Sequence, residues 1–218
     1  MATPPTFVSF AQSAWNLGTT PTTISVTTQT GDLIVVAIAM ENGNQANSSP
    51  PAPSGNGNTF TKKTQFPTTS DLNNTLIVTW TATEVSGATY NVSVPRPTGA
   101  SNSWGAGVWV WRGSDGIGAV VGTTAAAATD TVTITTTADN SAICALHADW
   151  NAVDGTTRTR RTINGSTGTE RVYYRNSSTY TVYGQDYADA GAAGSKTAGY
   201  SAPVSYTHLR AHETKANL

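Results

Sequence analysis

Charge is what this chain has least of. It carries 12 basic and 13 acidic residues among 218, a charged fraction of 11% and a formal net charge of −1. An average soluble domain is about 25% charged. So small a basic complement leaves no broad face to neutralise phosphates, which excludes general nucleic-acid binding. Cysteine is almost missing as well. Cys144 stands alone, so the chain cannot build an internal disulfide framework, and its neighbours Ile143 and Ala145 mark it as a buried, inert thiol. No apolar run approaches the ~20 residues of a membrane span. Nor does any segment show the 3.6-residue periodicity of an amphipathic helix. The opening Met1-Ala2-Thr3-Pro4-Pro5 has neither the basic nor the apolar region of a secretory signal, so a protein made in a cytoplasm and released by another route is expected.

What takes the place of charge is Thr, Ser, Asn and Gly around short runs of β-branched and aromatic residues. The strongest run is Ser103-Trp104-Gly105-Ala106-Gly107-Val108-Trp109-Val110-Trp111-Arg112, with three of the six tryptophans in eight positions. Successive side chains of a strand point to opposite faces. Ala106, Val108 and Val110 therefore share one face, and Gly107, Trp109 and Trp111 the other. A strand apolar on both faces belongs inside a sheet, with Gly105 and Gly107 leaving room for a close neighbour. Leu33 to Met40 and Ala142 to Trp150 read as two further buried strands. Shorter alternating segments occur at Thr6–Phe10, Thr22–Thr27, Thr59–Thr64, Leu76–Ala82, Tyr90–Val94, Ile117–Val121, Thr131–Thr137, Arg158–Ile163, Glu170–Arg175 and Thr179–Tyr187. Lys62 and Lys63 suit an edge strand, where lysine discourages pairing with other chains. Glu41 to Asn58 reads as a long Pro- and Asn-rich loop, Gln185 to Tyr200 as a stretch that runs through a Gly/Ala-rich loop towards a last strand, and Asn164-Gly165 as a tight turn. No internal repeat is visible. Many short strands punctuated by turns mean an all-β, antiparallel, two-sheet sandwich or a barrel.

No catalytic signature is present. The acids Glu41, Glu84 and Glu170 lie in no paired-carboxylate motif, and no nucleophile elbow or phosphate-cradling loop occurs. His147, in a buried-looking strand, reads as structural. Asp115 and Asp186 carry carboxylates that calcium accepts, but a turn at Ser114-Asp115-Gly116 explains the first without a metal. No enzyme activity, metal or cofactor is expected. One candidate binding face remains: Arg171, Tyr173 and Arg175 share a parity, as do Tyr183 and Tyr187 on the next strand. Facing tyrosines and arginines suit sugar rings or a partner subunit, and equally suit plain cross-strand pairing. Arg158, Arg160 and Arg161 form the one basic cluster, read as a solvated edge strand with an anionic-glycan contact as the alternative.

From Val204 the alternation stops. Val204-Ser205-Tyr206-Thr207-His208-Leu209-Arg210-Ala211-His212-Glu213-Thr214 resembles one reading frame of a DNA sequencing adapter. That resemblance implies a natural chain cut near Ala202 or Pro203, a non-native tail over 204–218, a single domain over 1–203 and a missing last strand. It also removes His208 and His212 as a metal pair, and it predicts that deleting the tail leaves stability unchanged.

The order of three motifs resembles that of jelly-roll proteins of tailed phages and prophages: Gly31-Asp32-Leu33 before a buried strand, Gly57-Asn58-Thr59-Phe60, and Trp111-Arg112-Gly113-Ser114-Asp115. The likeness covers Gly31 to Ala202. It implies a jelly-roll-like sandwich in a virion-associated protein of tail, fibre or head decoration, located in the virion. Its partners would be other virion proteins, further copies of itself and a cell-surface glycan, with no nucleic acid and no membrane. A carbohydrate-binding module of a bacterial surface or secreted protein is the alternative, and a glycan-cleaving jelly roll comes third.

Overall fold

The computed structural model describes residues 3–41, 50–66, 76–97, 103–126, 130–149, 157–176, 180–202 and 206–216. Every regular element among them is a β-strand, and every pairing is antiparallel. The expected single domain over 1–203 gives way to two compact units. One is Thr6–Arg112; the other is Gly113–Leu218 together with Met1–Pro5.

The first unit runs β1 (Thr6–Gln12), β2 (Thr22–Thr27), β3 (Leu33–Glu41), β4 (Thr61–Phe66), β5 (Leu76–Thr83), β6 (Thr89–Val94) and β7 (Ser103–Arg112). Five strands form one sheet in the order β1-β7-β3-β5-β4, and β2 pairs with β6 in the other. The tryptophan strand β7 is interior, as its two apolar faces require. Ala106, Val108 and Val110 join Ile34, Val36 and Ile38 of β3 and Ile24, Val26, Val92 and Val94 of the small sheet in one core. On the opposite face Trp109 lies over Phe10 at 4.6 Å and Trp111 over Phe7 at 5.4 Å, each opposite its partner across the β1–β7 ladder. The glycine at 107 makes room for this: a Cβ there would sit 2.8 Å from the Phe10 ring. The lysine-bearing β4 is at a sheet edge, where its charge fits.

Two carboxylates close the turns of this unit. Asp32 accepts the Gln29 amide at 2.8 Å and takes Nε and Nη2 of Arg112 in a two-pronged pair, both at 2.9 Å. That pair ties the start of β3 to the end of β7. Glu84, just past β5, accepts from Thr28, Asn56 and Asn58 and from the amides of Ser86 and Gly87. Burial alone would raise its carboxyl, but these bonds outweigh burial and hold the pKa down to about 2.

The second unit runs β8 (Ser114–Ala126), β9 (Asp130–Thr136), β10 (Ala142–Asp149), β11 (Thr159–Arg160), β12 (Thr169–Arg175), β13 (Thr181–Tyr187), β14 (Gly194–Ala202) and β15 (Tyr206–Ala216). Its sheets are β12-β13-β10-β15-β8 and β11-β14-β9. Gln185 to Tyr200, expected to hold a Gly/Ala-rich loop after the strand ending at Tyr187, contains the end of β13 and most of β14. Val132, Ile134 and Ala198 of the small sheet face Ile143, Ala145, Tyr187 and Ala211 of the large one.

The two units share one strand order. Reading β8, β9, β10, β12, β13, β14 and β15 for β1 to β7 turns the first large sheet into the second. It also turns the β2–β6 pair into β9–β14. The third strand of each follows a residue of positive φ, Gly31 in one and Asn140 in the other. The chain therefore contains a structural repeat that its sequence hides.

Residues past Val204 were expected to lie outside the fold. Instead Tyr206–Ala216 forms β15, hydrogen-bonded to β10 on one side and β8 on the other. A gap between two strands can be filled by backbone bonds alone, so a strand needs no β-like side chains to enter it. By register β15 holds the place of β7. Val110 lies opposite Ile34, and Glu213 lies opposite Ile143 at the matching position. The Glu213 carboxylate is fully buried. Burial would raise it, but the amides of Ala119, Thr137 and Ala138 and the Ser141 hydroxyl outweigh that and hold it below the ordinary carboxylate range.

Candidate anion-binding cleft

The tyrosine and arginine residues singled out in the sequence do not form one open face. Tyr173 and Tyr183 are direct cross-strand partners, with ring centroids 5.7 Å apart. Tyr183 and Tyr187, however, are 0% and 1% exposed, so neither can stack on a sugar. Tyr183 stands 5.1 Å from Tyr200 of β14, and Tyr200 in turn meets the ring of His147 edge-on at 5.0 Å. This row is core, and His147 is the buried structural histidine the sequence suggested. Arg171 leaves the shared face because the β12–β13 ladder slips between Glu170 and Val172. A bulge adds one residue and reverses the alternation. Arg171 therefore pairs with the buried Asp186 at 2.5 Å. Arg175 is exposed at the end of β12. Asp115 is exposed as well, and no group of three or more potential metal-ligating side chains occurs among the described residues.

The basic cluster divides into two roles. Arg158 is structural: its guanidinium lies 3.8 Å over the Tyr173 ring and makes a two-pronged pair with Glu170. Arg160 leans on the same carboxylate at 3.7 Å and bonds the Thr167 carbonyl at 3.2 Å. Arg161 is exposed, and no ion pair involves its side chain among the described residues.

Arg160 and Arg161 line a cleft of about 680 Å³ with Thr162, Ile163, Asn164, Ser195, Lys196 and Thr197. Its walls are fixed from behind. The Arg161 amide donates to Gly199 of β14 at 2.8 Å, and the buried Tyr187 hydroxyl donates to the Arg161 carbonyl at 2.8 Å. Burial raises that phenol to about 12, so it stays a donor across the physiological range. Ile163 is buried in the core of the unit and exchanges both backbone bonds with Ser166. Asn164 and Gly165 between them have φ of 48° and 74°, the left-handed pair that a tight two-residue turn needs and that Asn-Gly supplies.

Lys196, Ser195 and Thr197 were missed in the sequence because they fell in the supposed loop. The signal was there: Lys196, Ala198 and Tyr200 alternate with Ser195, Thr197 and Gly199, and that alternation is β14. A second cleft of about 540 Å³ runs between β1 and β2, lined by Val8, Phe10, Val26 and Arg112 among others. Its cation is already held by Asp32, so it offers no free charge. Compared with known protein families, curated proteins and solved structures, the chain matches none.

Proposed function

We propose that the chain is a non-enzymatic virion component of a tailed phage or prophage, structural or host-surface-binding, built from two jelly-roll-like sandwiches in tandem. The observation that carries this reading is the strand order. In each unit the first strand lies beside the last, and the last lies beside the third. The second strand lies beside the next to last in the other sheet. That order of first, last and third strands supports a jelly-roll-like reading, an architecture used in capsid and lectin domains. Its repetition in one chain suits a multivalent particle component. The low charge and hydroxyl-rich surface agree with a protein working outside the cell. Fold alone does not fix function, so the particle assignment needs its own test.

That test is peptide mass spectrometry of density-purified particles from cells carrying the gene. Peptides from both units should co-purify with the particle band at a fixed ratio to the major capsid protein. Their absence from the band would overturn the assignment. The cleft of the second unit also favours a second reading, a carbohydrate-binding module of a bacterial surface protein. In that case the protein should appear in the envelope fraction of uninfected cells.

A further inference from the structure

We propose that the cleft between β11, the Ile163–Ser166 turn and β14 binds the acid groups of an anionic polysaccharide. The first ground is charge. Among the described residues that line the cleft, Arg160, Arg161 and Lys196 are cations and none is an acid, and Arg160 meets the Glu170 carboxylate outside that lining. Arg158 and Arg160 share that carboxylate, while Arg161 and Lys196 reach the cleft without any ion pair among the described residues. In a chain with so few charges, this concentration of unneutralised positive charge on one rim is a specific feature.

The second ground is the rest of the lining. Thr162, Asn164, Ser195 and Thr197 offer hydroxyl and amide groups that donate and accept, the partners that sugar hydroxyls require. The cations supply charge-assisted bonds to carboxylate or sulfate, and Arg161 can do so with both prongs. Among the described residues, no aromatic ring lines the cleft. Single-stranded nucleic acid is held largely by stacking its bases on such rings, and the chain as a whole is not basic. The lining therefore favours an acidic sugar over nucleic acid.

The third ground is rigidity. The Tyr187 bond to the Arg161 carbonyl, the buried Ile163 and the Asn164-Gly165 turn fix the backbone that carries the cations. Little ordering is then left for the ligand to impose, which favours affinity. This inference concerns the cleft itself and does not rest on the particle assignment.

The test is affinity electrophoresis of the full chain through gels containing polygalacturonate, dextran sulfate or neutral dextran, with a 20-mer oligothymidylate as competitor. The parent should be retarded by the two acidic polymers and not by dextran, and the retardation should weaken as salt rises. Arg161→Gln and Lys196→Gln should each weaken it about tenfold or more, the loss expected for one charge-assisted bond. Lys196→Arg should restore most of the retention, and thermal melts of the variants should overlay that of the parent. Arg175→Gln, also exposed but outside the cleft, should change nothing. No retardation by either acidic polymer would overturn the proposal. So would equal retardation of the parent and both glutamine variants, or displacement by the oligonucleotide at matched charge.

Discussion

Replacing Trp109 by alanine tests the packing of the first unit at its most apolar strand. The indole is 1% exposed and lies 4.6 Å from Phe10. Burying a ring that size removes about 200 Å² from water, worth roughly 5 kcal/mol at ~25 cal/mol per Å². Alanine keeps a small part of this and leaves a cavity behind, so a loss of about 3–5 kcal/mol is expected. Trp109 also has an indole N–H with no hydrogen-bond partner among the described residues. Trp109→Phe removes that buried donor, whose desolvation costs about 1–3 kcal/mol, and gives up part of the ring packing. The two effects oppose each other, so Trp109→Phe should fall well short of the alanine variant. Five of the six tryptophans lie in Thr6–Arg112, so intrinsic fluorescence reports this unit almost by itself. In urea melts followed at the tryptophan emission maximum, Trp109→Ala should lower the midpoint and leave the slope unchanged. In thermal melts it should lower Tm by about 12 °C or more, at about 4 °C per kcal/mol for a unit of this size. A change within ~0.5 kcal/mol, typical of an exposed site, would refute the burial on both faces of β7.

Three further outcomes follow from buried charge and from β15. Glu84 titrates in the fold near 2 against an ordinary value of 4.5, so its stabilisation is complete above pH 4.5 and fades as pH falls towards 2. The gap in urea midpoint between parent and Glu84→Gln should accordingly narrow from pH 7 to pH 3, and a gap that does not depend on pH would count against the hydrogen-bonded carboxylate. Arg171→Ala takes the guanidinium away from the buried Asp186 and should cost about 3–5 kcal/mol by circular-dichroism melts. The double variant with Asp186→Asn should recover a good part of that loss, and additive losses would show that the pair is not coupled. Deleting Val204 to Leu218 removes the strand that joins β8 to β10 in the large sheet, so the second unit should lose its cooperative transition. An unchanged midpoint would put the tail outside the fold, as its adapter resemblance implies.

Strands were legible wherever their faces differed or were both apolar. Val132 and Ile134 announce β9, and the two-faced runs of β3, β7 and β10 announce interior strands. The edge position of β4 could be read from Lys62 and Lys63. The repeat stayed hidden because strand order is set by backbone pairing, which leaves little trace in side chains. Ile24 and Val26 do match Val132 and Ile134, each pair leading to a positive-φ residue at Gly31 or Asn140, but the spacing differs by one. The last strands differ sharply in chemistry, since one buries Val110 where the other buries Glu213. The candidate site failed for a local reason. One bulge after Glu170 turned Arg171 to the other face, a shift that parity counting cannot foresee. The tyrosines failed for a global one, because parity says which residues share a face but not whether that face meets water or the second sheet. The cleft was half visible in Arg160 and Arg161, and its other half lay in the alternation of β14.

The claim beneath the proposed function is that the chain is two sandwiches of one design, each complete in its own core. Expressing residues 6–112 alone tests it most directly. The fragment should give a strand-type far-UV spectrum and a single cooperative urea transition. Tryptophan fluorescence and circular dichroism should coincide through that transition, as expected of a domain that folds by itself. A fragment that shows no cooperative transition, while the full chain shows one, would contradict the account.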